Sequence, residues 1–344
     1  MKTLLAQLAV GLLLAGAAVA GDAPVPPPTF GLDSVAPPTG RDPSMKGEPP
    51  PRGQAPALFR SELGRPDTLG VGRVADNVAR ALPAVETLCS WLGDKVAGLG
   101  YARVLPVIAR DDAEMVDFLK RGIVGLVSET AISAIHFTKQ AGATILLAEK
   151  RRGSTTYRSM VFVRAESPVR RIGDLAGRRV AFEDRGSTSA FLLPLAAIKS
   201  AGLATRALDQ PSDPVPESTV GYFFTHSEDA IATAVSRRVA DAGALSDEDW
   251  RSLRQRRPGA TGELRVIHES RPVPRAFVLA GPAVSEQQRD GLRRILLSMD
   301  DDDAARDVLQ RYHQVDGFDA LTPDTRRQVE DLESTWELVW TEVD

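Results

Sequence analysis

Residues 181–203 read AFEDRGSTSAFLLPLAAIKSAGL, and the reading of the fold turns on this stretch. The preceding RRV makes the apolar run through Phe182 a strand. Gly186 opens a turn, and Leu192 to Ala201 repeats apolar residues at helical spacing until Gly202 stops it. The corner between them carries three hydroxyls, Ser187, Thr188 and Ser189. A helix begins with amides that lack intrahelical partners and with a positive dipole end. One serine or threonine is enough to cap it. Three in succession exceed what capping uses, and the surplus donors suit a phosphate or carboxylate. Each charge-assisted hydrogen bond contributes ~1.5–3 kcal/mol. Four of them cover the roughly 8 kcal/mol that micromolar binding requires. Plain capping and anion binding both fit the pattern.

Outward from this corner the same alternation continues. TLGVGRV (68–74), ARVLPVIA (102–109), IVGLVS (123–128) and ATILLAEK (143–150) are strand runs separated by helical stretches. The helix at 111–122 opens on two aspartates and closes on Lys-Arg-Gly, the favourable order for its dipole. YRSMVFVRAE, RRVAFE, VGYFFTH, VADAGAL, ELRVIHES and VPRAFVLAG continue the strands, and helices are expected at 285–299, 302–312 and 322–339. Strand, helix, strand in repetition implies an α/β protein, with helices covering a parallel sheet in its first part.

The chain has 344 residues, 43% of them hydrophobic, enough for two lobes with their own cores. Net charge is −4, which excludes a broad nucleic-acid surface. Residues 1–20 join one lysine to an apolar run ending Ala-Val-Ala, the pattern of a cleavable signal peptide and of a periplasmic protein, with an uncleaved anchor as the other reading. Eleven of the 24 prolines fall between Gly21 and Arg60, so residues 21–65 read as a disordered tether. Cys89 is the only cysteine, lies at helical spacing among apolar residues, and forms no intrachain disulfide.

Catalytic patterns do not assemble. RGSTSA is not G-x-S-x-G, and the four histidines lack metal-ligand spacing. No metal or cofactor is expected, and an enzyme is the function class that the residues support least. RSLRQRRPGATG (251–262) reads as a solvated basic loop and SMDDDDAARD as a helix-capping junction.

Taken in order, YRS, SP, DLAG, GSTS and later THS make the chain resemble the phosphonate/phosphate-type periplasmic substrate-binding proteins, the solute receptors of ABC importers. The resemblance covers about 68–309. It implies a two-lobe type II periplasmic-binding fold, two mixed sheets flanked by helices with a ligand cleft between lobes. Carried over, lobe one spans 66–166 plus 271–344 and lobe two 167–270. It further implies a monomer that binds a small phosphorus oxyanion and docks on an inner-membrane permease. Ser187, Thr188 and Ser189 would hold the anion, with Tyr157, Arg158 and His226 lining the cleft and Asp241 near it. The family commonly places one aromatic after its first strand and another near Glu129-Thr130. This chain has Arg73 and Glu129 there; Glu129 would either receive a ligand amine or simply favour the helix N-terminus, and Arg73 would add positive charge. A sensing domain that passes ligand state to a membrane partner is the other reading of the same lobes.

Overall fold

The computed structural model describes residues 62–340 apart from Asp76 and His313. The expected signal peptide, and the proline-rich tether up to residue 61, lie outside the described residues.

The chain runs through β1 (Thr68–Val74), α1 (Val78–Leu92), β2 (Arg103–Ala109), α2 (Asp112–Lys120), β3 (Leu126–Thr130), α3 (Ala131–Ala141) and β4 (Thr144–Lys150). A two-residue strand, β5 (Thr156–Tyr157), leads into β6 (Ser159–Arg164), β7 (Arg179–Phe182), α4 (Leu193–Ser200), β8 (Ala204–Ala207) and β9 (Thr219–Phe224). There follow α5 (Glu228–Ser236), β10 (Ala242–Ser246), α6 (Asp247–Arg256), α7 (Pro258–Gly262) and β11 (Leu264–Glu269). The chain returns through β12 (Val273–Pro274) to β13 (Ala276–Ala280), α8 (Glu286–Leu297), α9 (Asp303–Arg311), β14 (Gly317–Ala320) and α10 (Pro323–Trp340).

Two six-stranded sheets form, ordered β14-β4-β13-β3-β1-β2 and β11-β6-β10-β7-β9-β8. The crossing strands β5 and β12 pair only with each other, Tyr157 opposite Val273. The architecture is the expected α/β arrangement of mixed sheets flanked by helices.

Several particulars differ from expectation. Lobe one is parallel only across β2, β1 and β3, because the returning β13 inserts antiparallel between β3 and β4. Strand β6, expected in lobe one, is hydrogen-bonded between β11 and β10 in the second sheet, so the chain changes lobe at Thr156–Tyr157 and not at 167. Leu63 packs on the core and Glu62 pairs with Arg103 at 3.4 Å, so the fold takes in the last residues assigned to the tether. The expected basic loop is the second half of α6 and the short α7; Ser246 caps α6, which buries Trp250 and Leu253 three residues apart.

Each sheet has an outer core of its own, around Leu69, Val85 and Leu88 in lobe one and Phe162, Ile231 and Trp250 in lobe two. A third cluster is continuous between the lobes through α3, α4 and α10. Helix α10 ties them: Trp336 and Trp340 stack at 5.3 Å beside His136 of α3, and Lys139 of α3 pairs with Glu337 at 2.8 Å. On the other side Lys199 of α4 donates to the carbonyl of Leu338. The loops that matter lie at the carboxyl ends of β3, β7, β9 and β10, where open α/β sheets place their ligands.

Candidate functional site

The corner after β7 is held from beneath by aromatic rings. Phe191 lies edge-on to Phe182 and Phe224 at 5.6 and 5.2 Å and is fully buried. Above it, residues Thr188–Leu192 form a π turn ahead of the helix expected from Leu192. Leu192 N–H donates to the carbonyl of Ser187 at 3.0 Å, and Leu193 N–H to that of Thr188. This wider turn precedes α4, whose Pro194 sits in the first turn where its missing N–H costs nothing. The three hydroxyl residues are thereby gathered at one mouth, all of them buried.

Their hydrogen bonds are specific. Ser187 Oγ accepts from Ala190 N–H at 3.1 Å and also bonds the carboxyl of Glu183. Thr188 Oγ1 accepts from Ile132 N–H of α3, in the opposing lobe, at 2.9 Å. Thr130, the N-cap of α3, donates to the carbonyl of Gly186 at 2.7 Å. The Tyr157 hydroxyl meets those of Thr188 and Ser189, and Ser159 Oγ donates to the Ser189 carbonyl at 2.5 Å. A Cβ on Gly186 would stand 3.3 Å from Ser133 Oγ, so the glycine permits the lobes to approach this closely. The corner is thus covered by the start of α3, and access to it requires the lobes to part.

Carboxyls surround the hydroxyls. Burial, with Asp184 and Glu228 adding to it, pushes Glu183 up to about 8. Burial also raises Glu228 to about 7, with Asp249 contributing, and Asp112 to about 7, with Glu129 contributing. Asp112 accepts from Ser133 Oγ at 2.8 Å. Arg275 brings positive charge here, its Cζ 4.3 Å from the Tyr157 ring centroid, and Arg256 also acts on Glu228.

Of the residues expected in the cleft, Ser187, Thr188, Ser189 and Tyr157 come together. Glu129 is buried in lobe one, its Oε1 accepting Val74 N–H at 2.8 Å, with the Arg73 charge the main influence opposing burial in raising its carboxyl. It is spent on backbone and offers no open carboxylate to a ligand amine. Arg158 faces outward, bonded to the Ser270 carbonyl at 2.9 Å and to Glu269 at 3.3 Å. Asp241 accepts Arg179 N–H at 2.9 Å, which places it at the opposite end of the second sheet, where β7 and β10 begin. His226 is exposed, has a positive φ of 57°, and donates its N–H to the Glu183 carbonyl at 2.9 Å. It borders the corner without reaching the hydroxyls.

Thr130, Glu183 and Arg275 belong to the corner and were not singled out from sequence. Glu183 stands four residues before Ser187 and carried a signal in its position at a strand end; Arg275 carried none. Two hollows of about 630 and 420 Å³ lie elsewhere, around Trp250 and Arg254 on α6. Of the arginines that line the larger one, Arg158 is engaged as described and Arg251 pairs with Asp247 at 3.5 Å. Among the described residues no cluster of three potential metal ligands occurs, and no helix is long and apolar enough to cross a membrane.

Residues 76–325 match the family described as "ABC transporter, phosphonate, periplasmic substrate-binding protein". Among solved structures, XAC2383 of Xanthomonas citri bound to chloride is 29% identical, with a TM-score of 0.77 over 80% of this chain and 99% of that one. Its ATP-bound form gives 28% identity and a TM-score of 0.76 over 81% and 100% of the two chains. PhnD1 of Prochlorococcus marinus (MIT 9301), in complex with methylphosphonate, shares the fold at 17% identity, with a TM-score of 0.60 over 79% and 98%.

Proposed function

We propose, from the premise that this chain belongs to the phosphonate-type periplasmic substrate-binding family of ABC transporters, that its 187–189 corner captures a small phosphorus oxyanion. As a member it is a periplasmic solute-binding protein that delivers a small ligand to a membrane permease. The ligand class, the residues that hold it, the monomeric state and a cleavable leader at 1–20 are our reading.

The observation that carries the proposal is the convergence of Ser187, Thr188, Ser189 and Tyr157 against the start of α3. A hydroxyl donates one hydrogen and accepts two. Thr188 accepts from Ile132 N–H, and with the Tyr157 O–H donating to its second lone pair its own hydrogen turns to an anion oxygen while it links the anion to lobe one. Ser187 behaves differently with pH. Beside an ionised Glu183 its hydrogen goes to that carboxylate; beside a protonated Glu183 it receives a hydrogen instead and turns its own toward the ligand. The raised Glu183 therefore favours the anion-ready state at neutral pH. Ligand entry needs the lobes to separate and closure to remake the Thr130–Gly186 and Ile132–Thr188 bonds, a hinge motion about β5 and β12.

The test is a calorimetric titration of the purified protein with phosphate, phosphite, methylphosphonate, 2-aminoethylphosphonate and sulfate. ATP joins the series because XAC2383 has been solved with it. At least one phosphorus oxyanion should bind, and Ser187→Ala with Thr188→Ala should weaken it by more than about tenfold. Absence of heat with every compound sinks the reading.

A further inference from the structure

We propose that Arg275 is the cation of the ligand site, detained by Glu248 until an oxyanion takes its place. The inference rests on the oxyanion reading of the corner. Arg275 stands on the return crossing between β12 and β13, with its backbone fixed from two sides. Its N–H donates to the Thr155 carbonyl at 2.9 Å, and its carbonyl accepts from Ala131 N–H, at the start of α3, at 3.1 Å. From there the guanidinium lies over the Tyr157 ring, and the Tyr157 hydroxyl touches those of Thr188 and Ser189. The charge is thus one side chain away from the hydroxyl triplet.

The guanidinium is poorly satisfied where it lies. Nη2 is 2.5 Å from Glu248 Oε2, close in distance but not aligned as a hydrogen bond, and both Nε and Nη2 are buried without a hydrogen-bonding acceptor. Two neighbouring N–H groups of one planar fork are therefore open to a partner of better geometry. Phosphoryl oxygens match that fork, whereas an ammonium would present a point charge only. Glu248 does not lose its last partner in such an exchange, since Arg152 Nη1 stands 3.8 Å from the same oxygen.

Electrostatics point the same way. Asp112, Glu183, Asp184 and Glu228 crowd the corner, and each of them that is ionised disfavours an anion. Arg275 acts on Glu228 and on Tyr157, which locates its charge within this group. Of the two arginines that the sequence suggested, Arg158 faces outward and is paired, and the charge of Arg73 acts on Glu129 and Tyr312.

The experiment titrates methylphosphonate and inorganic phosphate into the wild type, Arg275→Gln, Arg275→Lys and Glu248→Gln, with thermal melting of each. Arg275→Gln should weaken binding by about 10- to 150-fold, and Arg275→Lys, which keeps the charge and loses the fork, by about tenfold. Glu248→Gln should tighten binding several-fold, because it removes the competitor for the guanidinium. A pair that served only the hinge would give a different result, with Arg275→Gln and Glu248→Gln both lowering affinity and melting temperature alike. That outcome, or unchanged affinity in Arg275→Gln, overturns the proposal while leaving the oxyanion reading in place. A wild type that binds neither anion, nor any compound of the wider series, removes both. Should Arg275→Gln fail to fold, the opposite signs expected for Arg275→Lys and Glu248→Gln decide the matter.

Discussion

Replacing Thr188 by valine keeps the side chain's shape and removes its oxygen. Thr188 is fully buried, and its Oγ1 is the acceptor for Ile132 N–H across the lobe boundary. Valine leaves that amide buried without a partner, at a cost of about 1–3 kcal/mol. It also deprives the Tyr157 hydroxyl of one of its two neighbours. The penalty falls on the state in which the lobes touch, because in a parted state water satisfies Ile132. At about 1.4 kcal/mol per tenfold, the touching state should lose roughly 5- to 150-fold in population relative to the parted one. Amide hydrogen exchange read at Ile132 measures this directly, and its protection should fall by that factor. Thr188→Ser, which keeps the oxygen, should retain most of the protection. Ligand affinity should drop by about tenfold or more in Thr188→Val, since the same hydroxyl supplies a hydrogen to the anion. Unchanged exchange at Ile132 together with unchanged affinity would refute the assignment of Thr188 as the link between lobes and ligand.

Raising the pH should destabilise the protein. Glu183 keeps its proton in the fold up to about 8, whereas the unfolded chain releases it near 4.5, so between those values the native state binds the extra proton and stability falls as pH rises. The slope is about 1.4 kcal/mol per pH unit for one such group, and melting of Glu183→Gln should show a shallower decline. Anion affinity should fall as well above about pH 8, where ionised Glu183 takes the Ser187 hydrogen; an affinity that rises there would contradict the role given to this pair. Asp241→Ala and Arg158→Ala should leave affinity within about twofold, since neither side chain is directed at the corner, while Asp241→Ala should lower stability by about 1 kcal/mol through the Arg179 amide it caps. Calorimetry and melting separate the two effects.

The strand-to-helix corner was legible because its signals are local: an apolar run, a glycine, three hydroxyls and a helical repeat lie within one short segment. The short edge strands β8 and β14 were not, since ATRA and GFDA carry little apolar alternation and gain their pairing from neighbouring strands. The position of β6 was hidden for a related reason, because sheet membership is settled by partners distant in sequence. Within the site, hydroxyls announce themselves by spacing, but Asp241 looked well placed only until the strand direction put it at the far end of β10, about 16 Å from that strand's carboxyl end at ~3.3 Å per residue. Arg275 was invisible for the opposite reason. Its significance comes from the crossing strand that brings it over Tyr157, a contact between residues far apart in the chain.

A crystal structure of the protein grown with methylphosphonate bears most directly on all of this. The phosphorus should sit at the 187–189 turn beneath the start of α3, with its oxygens within hydrogen-bonding distance of at least two of the three hydroxyls. Density for the ligand in the Trp250–Arg254 hollows instead, with the corner's own contacts undisturbed, would contradict the account.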